Sequence, residues 1–105
     1  MVEKKLKATF LVPYRDNDGS SLSQAHDILR ADLLNEFGGH TQGGSVDGTW
    51  KNECGQTFCD ESASYWLLLD AEDLPRLEAL LLDFKSRTKQ EAIYLDVVEV
   101  EVRFV

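Results

Sequence analysis

The chain lacks an apolar run long enough to cross a membrane, and it lacks the apolar core of a secretory signal. No stretch of about 18 apolar residues occurs in its 105 residues, which excludes a membrane-spanning helix. Near the N-terminus, Lys7 and Thr9 interrupt the apolar positions that follow the first charged residues. We therefore expect a cytoplasmic protein that does not bind membranes.

Positive charge is also scarce. The chain has 11 Lys and Arg against 19 Asp and Glu, a formal net charge of −8, whereas nucleic-acid binding needs cations that displace counterions from phosphates. No basic residue lies between Lys51 and Arg76. This balance excludes a general nucleic-acid binder. It fits a basic protein partner, mimicry of nucleic-acid charge, or an acidic surface that only favours solubility.

Catalytic signatures are missing as well. The sequence contains no Gly-x-Ser-x-Gly and no His-Glu-x-x-His motif. The pairs Gly38-Gly39 and Gly43-Gly44 follow a predicted helix and do not open one, as a phosphate-binding loop requires. The sequence therefore leaves open whether the chain is an enzyme, and it predicts no cofactor.

Cysteine and histidine are rare, with two residues of each. A structural zinc site needs four ligands, and His26 and His40 lie at opposite ends of the first predicted helix, so no metal site is expected. Cys54 and Cys59 flank a four-residue segment, and a hairpin there can bring them within disulfide range. In a reducing cytoplasm we expect free thiols.

The sequence does contain the patterns of four strands. Apolar and polar residues alternate over residues 4–14, which predicts a half-buried strand. A Gly-rich strand, twisted or partly irregular, is expected over 40–52, followed by a hairpin connection over 53–60. Residues 62–69 and the first part of 92–105 predict strands that are apolar on both faces.

Two amphipathic helices separate these strands. The first has Ser21 or Ser23 as its N-cap and Gly38-Gly39 as its stop. The second begins at Asp70 or Asp73, with Pro75 in its first turn. The apolar stripe of the first helix recurs at intervals of three and four residues and comprises Leu22, Ala25, Leu29, Leu33 and Phe37, widened by Ile28 and Leu34.

The order βαββαβ predicts an α+β fold of the ferredoxin-like type, with residues 1–105 in one domain. Two crossovers place both helices on one face of a four-stranded antiparallel sheet, so the other face needs a different cover. We predict a homodimer, packed sheet to sheet or through the final strand. Its candidate interface residues are Trp66, Leu68, Gln90 and Glu91. The alternative is a covering loop, or scattered apolar surface residues.

Several short motifs resemble those of small uncharacterised bacterial proteins. They are a Gly-Gly-x-Thr turn ending at Thr41, a Gly-x-Trp strand ending at Trp50, and a Gln-Glu-small-apolar segment at 90–93. The resemblance covers residues 37–96. It implies a ferredoxin-like fold and no activity, and Cys54 and Cys59 depart from the family's pattern.

His40, Thr41, Trp50 and Glu61 form the candidate ligand pocket. The end of the first helix and the two middle strands are expected to converge there. A His–carboxylate pair can act as acid and base, and an aromatic wall can hold a flat ligand. The alternative is that His40 satisfies carbonyls at the helix end and Glu61 pairs with a surface cation.

Three functional hypotheses follow from these patterns. The leading one is a non-catalytic binding or protein-interaction module that acts as a homodimer. The second is a small dimeric ferredoxin-like enzyme with His40 and Glu61 as an acid–base pair in the sheet cavity. The third is an acidic decoy, for instance encoded by a mobile element, that occupies a basic site on another protein.

Overall fold

The computed structural model of the chain describes residues 2–105 and confirms the predicted βαββαβ order. A short 3-10 turn, Ala71–Asp73, precedes the second helix. In chain order the elements are β1 Val2–Pro13, α1 Ser23–Phe37, β2 Thr41–Lys51, β3 Thr57–Leu69, α2 Leu74–Ser86 and β4 Tyr94–Arg103.

The four strands form one antiparallel sheet in the order β2-β3-β1-β4. Phe10 of β1 pairs with both Tyr65 of β3 and Leu95 of β4, so these three side chains point to the same side of the sheet. Both helices cover that side. Its buried core comprises Ala8, Phe10, Val12, Leu29, Leu33, Ala63, Tyr65, Leu67, Leu69, Leu77, Leu81 and Phe84. This is the predicted ferredoxin-like fold.

The C-cap of α1 is Gly38 and the N-cap of α2 is Asp73, as predicted, but the start of α1 differs. The N-cap of α1 is Leu22, whose buried side chain cannot cap the helix, and the Ser21 hydroxyl instead accepts a hydrogen bond from the Ser23 amide. Burial of Leu22 therefore outweighs serine capping at this end. Ile28 and Leu34, predicted to widen the apolar stripe, are exposed. Pro75 lies in the first turn of α2, as predicted.

The second strand, expected over residues 40–52 as twisted or partly irregular, is present as Thr41–Lys51 and contains a bulge between Gln42 and Gly44. The hairpin connection is also shorter than predicted, because β3 begins at Thr57. The strand β1 ends opposite Ser62, so β2 and β3 continue beyond the sheet as a two-stranded ribbon. We call residues 46–61 the arm.

The arm accounts for the elongated shape of the molecule, 48 × 26 × 23 Å. The strand β3 alone has 13 residues, which extend about 43 Å at about 3.3 Å per residue. Within residues 2–105, no helix combines the length and the apolar character that crossing a membrane would require.

Candidate functional site

A buried polar network lies beneath the base of the arm, on the helix side of the sheet. His26 of α1 is 3% exposed, and its two ring nitrogens contact the Tyr65 hydroxyl at 2.6 Å and the Pro13 carbonyl oxygen at 2.8 Å. A carbonyl can only accept, so Nε2 carries the proton, and Nδ1 accepts from the Tyr65 hydroxyl. One tautomer of His26 is therefore fixed by its partners.

Arg30, one turn further along α1, completes this network. Its guanidinium donates to the Tyr65 hydroxyl at 3.4 Å and pairs with Asp27. Burial lowers the pKa of His26, and the nearby Arg30 charge lowers it further, against the hydrogen bond to Pro13. Burial raises the pKa of Tyr65, although the Arg30 contact opposes this. Both groups are therefore neutral at physiological pH.

Tyr14 connects this network to the arm. Its ring stacks on the His26 ring at a centroid distance of 5.6 Å, and its hydroxyl is 2.9 Å from the Ser45 hydroxyl of β2. The Tyr14 amide also donates to the Glu61 carbonyl of β3. These contacts attach the base of the arm to the start of α1.

Above the network lies a surface recess of about 270 Å³, open to solvent. Its walls carry two guanidinium groups, one carboxylate and several hydroxyls. The lining residues are Tyr14, Arg15, Ser21, Ser23, His26, Asp27 and Arg30.

The structure does not bring the four predicted pocket residues together. His40 packs against the Tyr65 ring at 5.9 Å, and its Nδ1 is buried without a hydrogen-bond partner among residues 2–105. Thr41 pairs with Trp66, whereas Trp50 pairs with Phe58, eight positions away along β3, or about 26 Å. Because β2 and β3 pair residue by residue along their length, the four predicted pocket residues are spread along the ribbon and do not converge.

Glu61 pairs with Asp47 in the arm. Thr41 pairs with Trp66, so His40, the residue before Thr41, lies beside Leu67. Leu67 and Glu61 are six positions apart along β3. That separation is about 20 Å. A proton transfer between His40 and Glu61 of one chain is therefore excluded, because acid–base catalysis needs hydrogen-bond contact or one bridging water.

The far end of the arm carries an aromatic pair. The rings of Trp50 and Phe58 stack at a centroid distance of 4.6 Å and are 48% and 39% exposed. The Trp50 indole N–H donates to Asp60 at 2.9 Å. Asp47, Glu53 and Glu61 make no salt bridge with the described part of the chain. The arm thus presents the two rings beside the Asp60 carboxylate on one face, whereas Asp47 and Glu61 lie on the other face.

The acidic stretch between Lys51 and Arg76 does not form one face. Asp60 and Glu61 lie in the arm, but Asp70 pairs with Lys5 at 2.8 Å and Asp73 pairs with Arg76 at 3.0 Å. The carboxylates are therefore divided between the arm and the sheet-to-helix connection, which does not favour the decoy hypothesis.

Cys54 and Cys59 are exposed free thiols. Cys54 lies in the connection after β2, and Cys59 pairs with Thr49 across the arm, so the hairpin register directs the Cys59 side chain toward Thr49 and away from Cys54. Across residues 2–105, no group of three or more His, Cys, Asp or Glu side chains is arranged to hold a metal ion.

The predicted interface residues fall in two places. Trp66 and Leu68 are half-buried on the face of the sheet opposite the helices, which we call the open face, and Lys7 lies over the Trp66 ring at 4.5 Å. Gln90 is elsewhere, in the α2–β4 loop, where its amide donates to Asp16. Glu91 is exposed in the same loop.

The roles of Tyr14, Arg30 and Tyr65 were not predicted from the sequence, and His26 was weighed only as a metal ligand. One signal was present, since His26 occupies the position between Leu22 and Leu29 on the apolar stripe of α1. A buried imidazole needs polar partners. Tyrosines at core positions of neighbouring strands are the side chains that supply them.

Comparisons with known proteins identify related folds only. No protein-family model and no curated protein matches the chain, so the resemblance to small bacterial proteins depends on its motifs alone. A phage SAM lyase in complex with S-methyl-5'-thioadenosine is similar in structure, with a TM-score of 0.66, 15% identity, and coverage of 93% of this chain and 88% of that one.

The same lyase in its apo state has a TM-score of 0.66 at 15% identity, covering 97% of this chain and 93% of that chain. The divalent cation tolerance protein (Cut A1) from Thermus thermophilus has a TM-score of 0.65 at 9% identity, covering 93% and 84%. At these identities the chain shares its ferredoxin-like fold with these proteins.

Proposed function

We propose that this chain is a binding module that acts as a homodimer, in which the open faces of two copies pack together. One observation carries this proposal. Five of the large apolar strand residues that are exposed lie on the open face. These five are Val46, Trp50, Phe58, Tyr94 and Val98, and the exception is Val2 at the start of β1.

The size of the open face supports self-association. Four strands about 4.8 Å apart and about 33 Å long present a face on the order of 600 Å² before side-chain relief is counted. A standard interface buries about 800 Å² per partner, and side-chain relief brings this face, which includes the strands of the arm, to about that size.

The arm gives a second reason. An isolated two-stranded ribbon is marginally stable in water, and within residues 2–105 no third strand pairs with the arm. Packing of Trp50 and Phe58 against a second copy would remove both rings from water. The carboxylates Asp47, Glu53 and Glu61, which form no salt bridge within residues 2–105, are the place where a basic protein partner would bind. The two exposed thiols fit a cytoplasmic protein.

The experiment is light scattering after size exclusion, with one matched pair of variants. We expect the wild-type protein to have about twice the 11.9 kDa mass of one chain. Val98→Glu adds a charge in the middle of β4 on the open face, and it should shift the protein to the monomer. Leu82→Glu adds the same charge on α2, where Leu82 is 61% exposed, and should leave the mass unchanged.

Circular dichroism must show that both variants fold. A wild-type mass of one chain at 100 μM, on the order of the concentration of a weak complex, would refute the homodimer. Equal behaviour of the two variants would refute the open face as its interface.

A second candidate is an enzyme that acts on S-adenosylmethionine, as the similar phage SAM lyase does. The observation that favours it is the arm, where the stacked Trp50 and Phe58 rings lie beside Asp60. Aromatic faces and carboxylates attract cations, and the sulfonium of S-adenosylmethionine is one. The similarity to that lyase covers 93% of this chain for its complex and 97% for its apo state.

This candidate is tested by incubating the protein with S-adenosylmethionine and measuring S-methyl-5'-thioadenosine by chromatography. Release above the spontaneous background is expected, and Trp50→Ala should lower it while Phe104→Ala, an exposed aromatic outside the arm, should not. Release no faster than the background removes this candidate and leaves the homodimeric binding module untouched.

A further inference from the structure

The recess above the buried network has a charge opposite to that of the chain as a whole. Arg30 pairs with Asp27, which neutralises both. Arg15 donates to the Gly19 carbonyl oxygen at 3.1 Å, and no carboxylate within the described residues forms a salt bridge with it. The recess therefore has one uncompensated positive charge in a protein with a formal net charge of −8.

The floor of the recess holds one of the two guanidinium groups in place. Arg30 contacts the Tyr65 hydroxyl, which is fixed in turn by His26, and His26 is fixed by the Pro13 carbonyl. A guanidinium held by buried groups loses little freedom when it binds a ligand. A guanidinium also has five N–H donors, so donors remain available after these contacts.

Hydroxyl groups complete the walls. Ser21 and Ser23 line the recess from the segment that enters α1, and Tyr14 lines it from the end of β1. Hydroxyls and guanidinium groups are the donors that proteins use for phosphate and carboxylate oxygens. The volume of about 270 Å³ holds about nine waters at about 30 Å³ each, which is enough for an oxyanion and a short attached group.

We propose that this recess binds the carboxylate or phosphate group of a small molecule, with Arg15 and Arg30 as the charged ligands and Ser21, Ser23 and Tyr14 as additional donors. The recess is formed within one copy of the chain, on the helix side of the sheet. It is therefore separate from the open face and from the arm rings of the proposed homodimer.

The test uses inorganic phosphate and acetate as separate probes at constant ionic strength, followed by backbone amide NMR of the labelled protein. Saturable shifts are expected for residues 21–27, and the tighter of the two probes identifies the oxyanion. Arg15→Gln should weaken binding about tenfold or more, since it removes a charge-assisted hydrogen bond. Arg15→Lys should restore part of it, because it keeps the charge without the fork geometry.

The matched control is Arg103→Gln, an exposed arginine at the end of β4 that pairs with Glu101. It should bind both probes as the wild type does. Arg15 is exposed and its side chain donates to a loop carbonyl, so Arg15→Gln should fold normally.

Shifts that do not saturate, or equal losses in Arg15→Gln and Arg103→Gln, would overturn the proposal. The monomeric Val98→Glu variant should bind the probe as tightly as the wild type, so a failure of the homodimer and a failure of this site give different results.

Discussion

The Tyr65 hydroxyl and the His26 Nδ1 atom lie 2.6 Å apart and join β3 to α1 in the buried interior. The hydroxyl donates to the ring nitrogen because Nε2 already donates its proton to Pro13. Tyr65 is fully buried and stacks on Phe10 at 5.4 Å. A polar contact is thus placed inside an otherwise apolar core.

Removal of this hydroxyl is expected to destabilise the protein. Tyr65→Phe keeps the ring but leaves His26 Nδ1 buried without a donor, which costs about 1–3 kcal/mol of the free energy of unfolding. Urea denaturation measures the loss. The control is Tyr94→Phe, because Tyr94 is exposed and its hydroxyl bonds to Asp96 at the surface. An equal loss of stability in both variants would show that the buried hydrogen bond stabilises the protein no more than the exposed one.

Stability should also depend on pH through His26. Burial lowers the pKa of this ring below its ordinary value of 6.5 in the folded protein. The unfolded chain therefore binds more protons between the two pKa values, so the free energy of unfolding decreases as the pH falls below about 6.5 and stops decreasing below the folded pKa. Above about 6.5 this contribution to stability is complete.

Urea denaturation between pH 7.5 and pH 5 measures this slope, and an NMR titration of the ring reports the pKa directly. His26→Gln cannot take up the proton and should flatten the profile, although it is less stable throughout. If the wild type and His26→Gln lose stability in parallel over this range, the slope comes from other groups.

Periodicity predicted the fold because the core positions are strictly patterned. Alternation in β1 and the stripe containing Leu29 and Leu33 assigned the elements to their faces, and the structure confirms these assignments. The register of β2 was not predicted, since residues 42–48 are Gly-rich and polar and carry no alternation. The strand is ordered by its pairing with β3, which is a non-local property.

The candidate site was harder to predict for a related reason. His26 and Tyr65 are 39 positions apart, and their contact depends on the packing of α1 over β3. The predicted pocket was wrong because the sequence indicated which elements are neighbours but not which residues of the two strands pair with each other. Once Thr41 pairs with Trp66 and Trp50 with Phe58, the two ends of the proposed pocket are separated along the ribbon.

Asp16 is expected to stabilise the two loops at one end of the sheet. Its carboxylate accepts hydrogen bonds from the Lys89 amide at 2.9 and 3.0 Å and from the Gln90 side chain at 3.0 Å. Burial alone would raise the pKa of Asp16, but these bonds lower it.

Asp16→Ala removes the acceptor from the Lys89 amide and the Gln90 side chain and should lower the free energy of unfolding by about 1 kcal/mol. This is the lower part of the range for a lost hydrogen-bond partner, because the site is half open to water. Thermal denaturation measures this loss. Asp47→Ala, which removes an arm carboxylate that has no salt bridge with the described residues, is the control. A melting temperature unchanged by Asp16→Ala would mean that the two loops are held by other contacts.

The two glycines after α1 should respond differently to the same substitution. Gly38 has φ of +78° and its amide donates to the Leu34 carbonyl at 2.9 Å, so it ends the helix in a left-handed conformation. Gly38→Ala should therefore lower the free energy of unfolding by about 1 kcal/mol, since a side chain disfavours this backbone region.

Gly39 has no positive φ, and a Cβ added there would meet no atom within 4 Å. Gly39→Ala should be neutral or stabilise by about 0.5 kcal/mol, because it restricts the unfolded chain. Urea denaturation of the two variants separates these effects, and a loss in Gly39→Ala as large as that in Gly38→Ala would show that the turn, not the left-handed residue, determines where the helix ends.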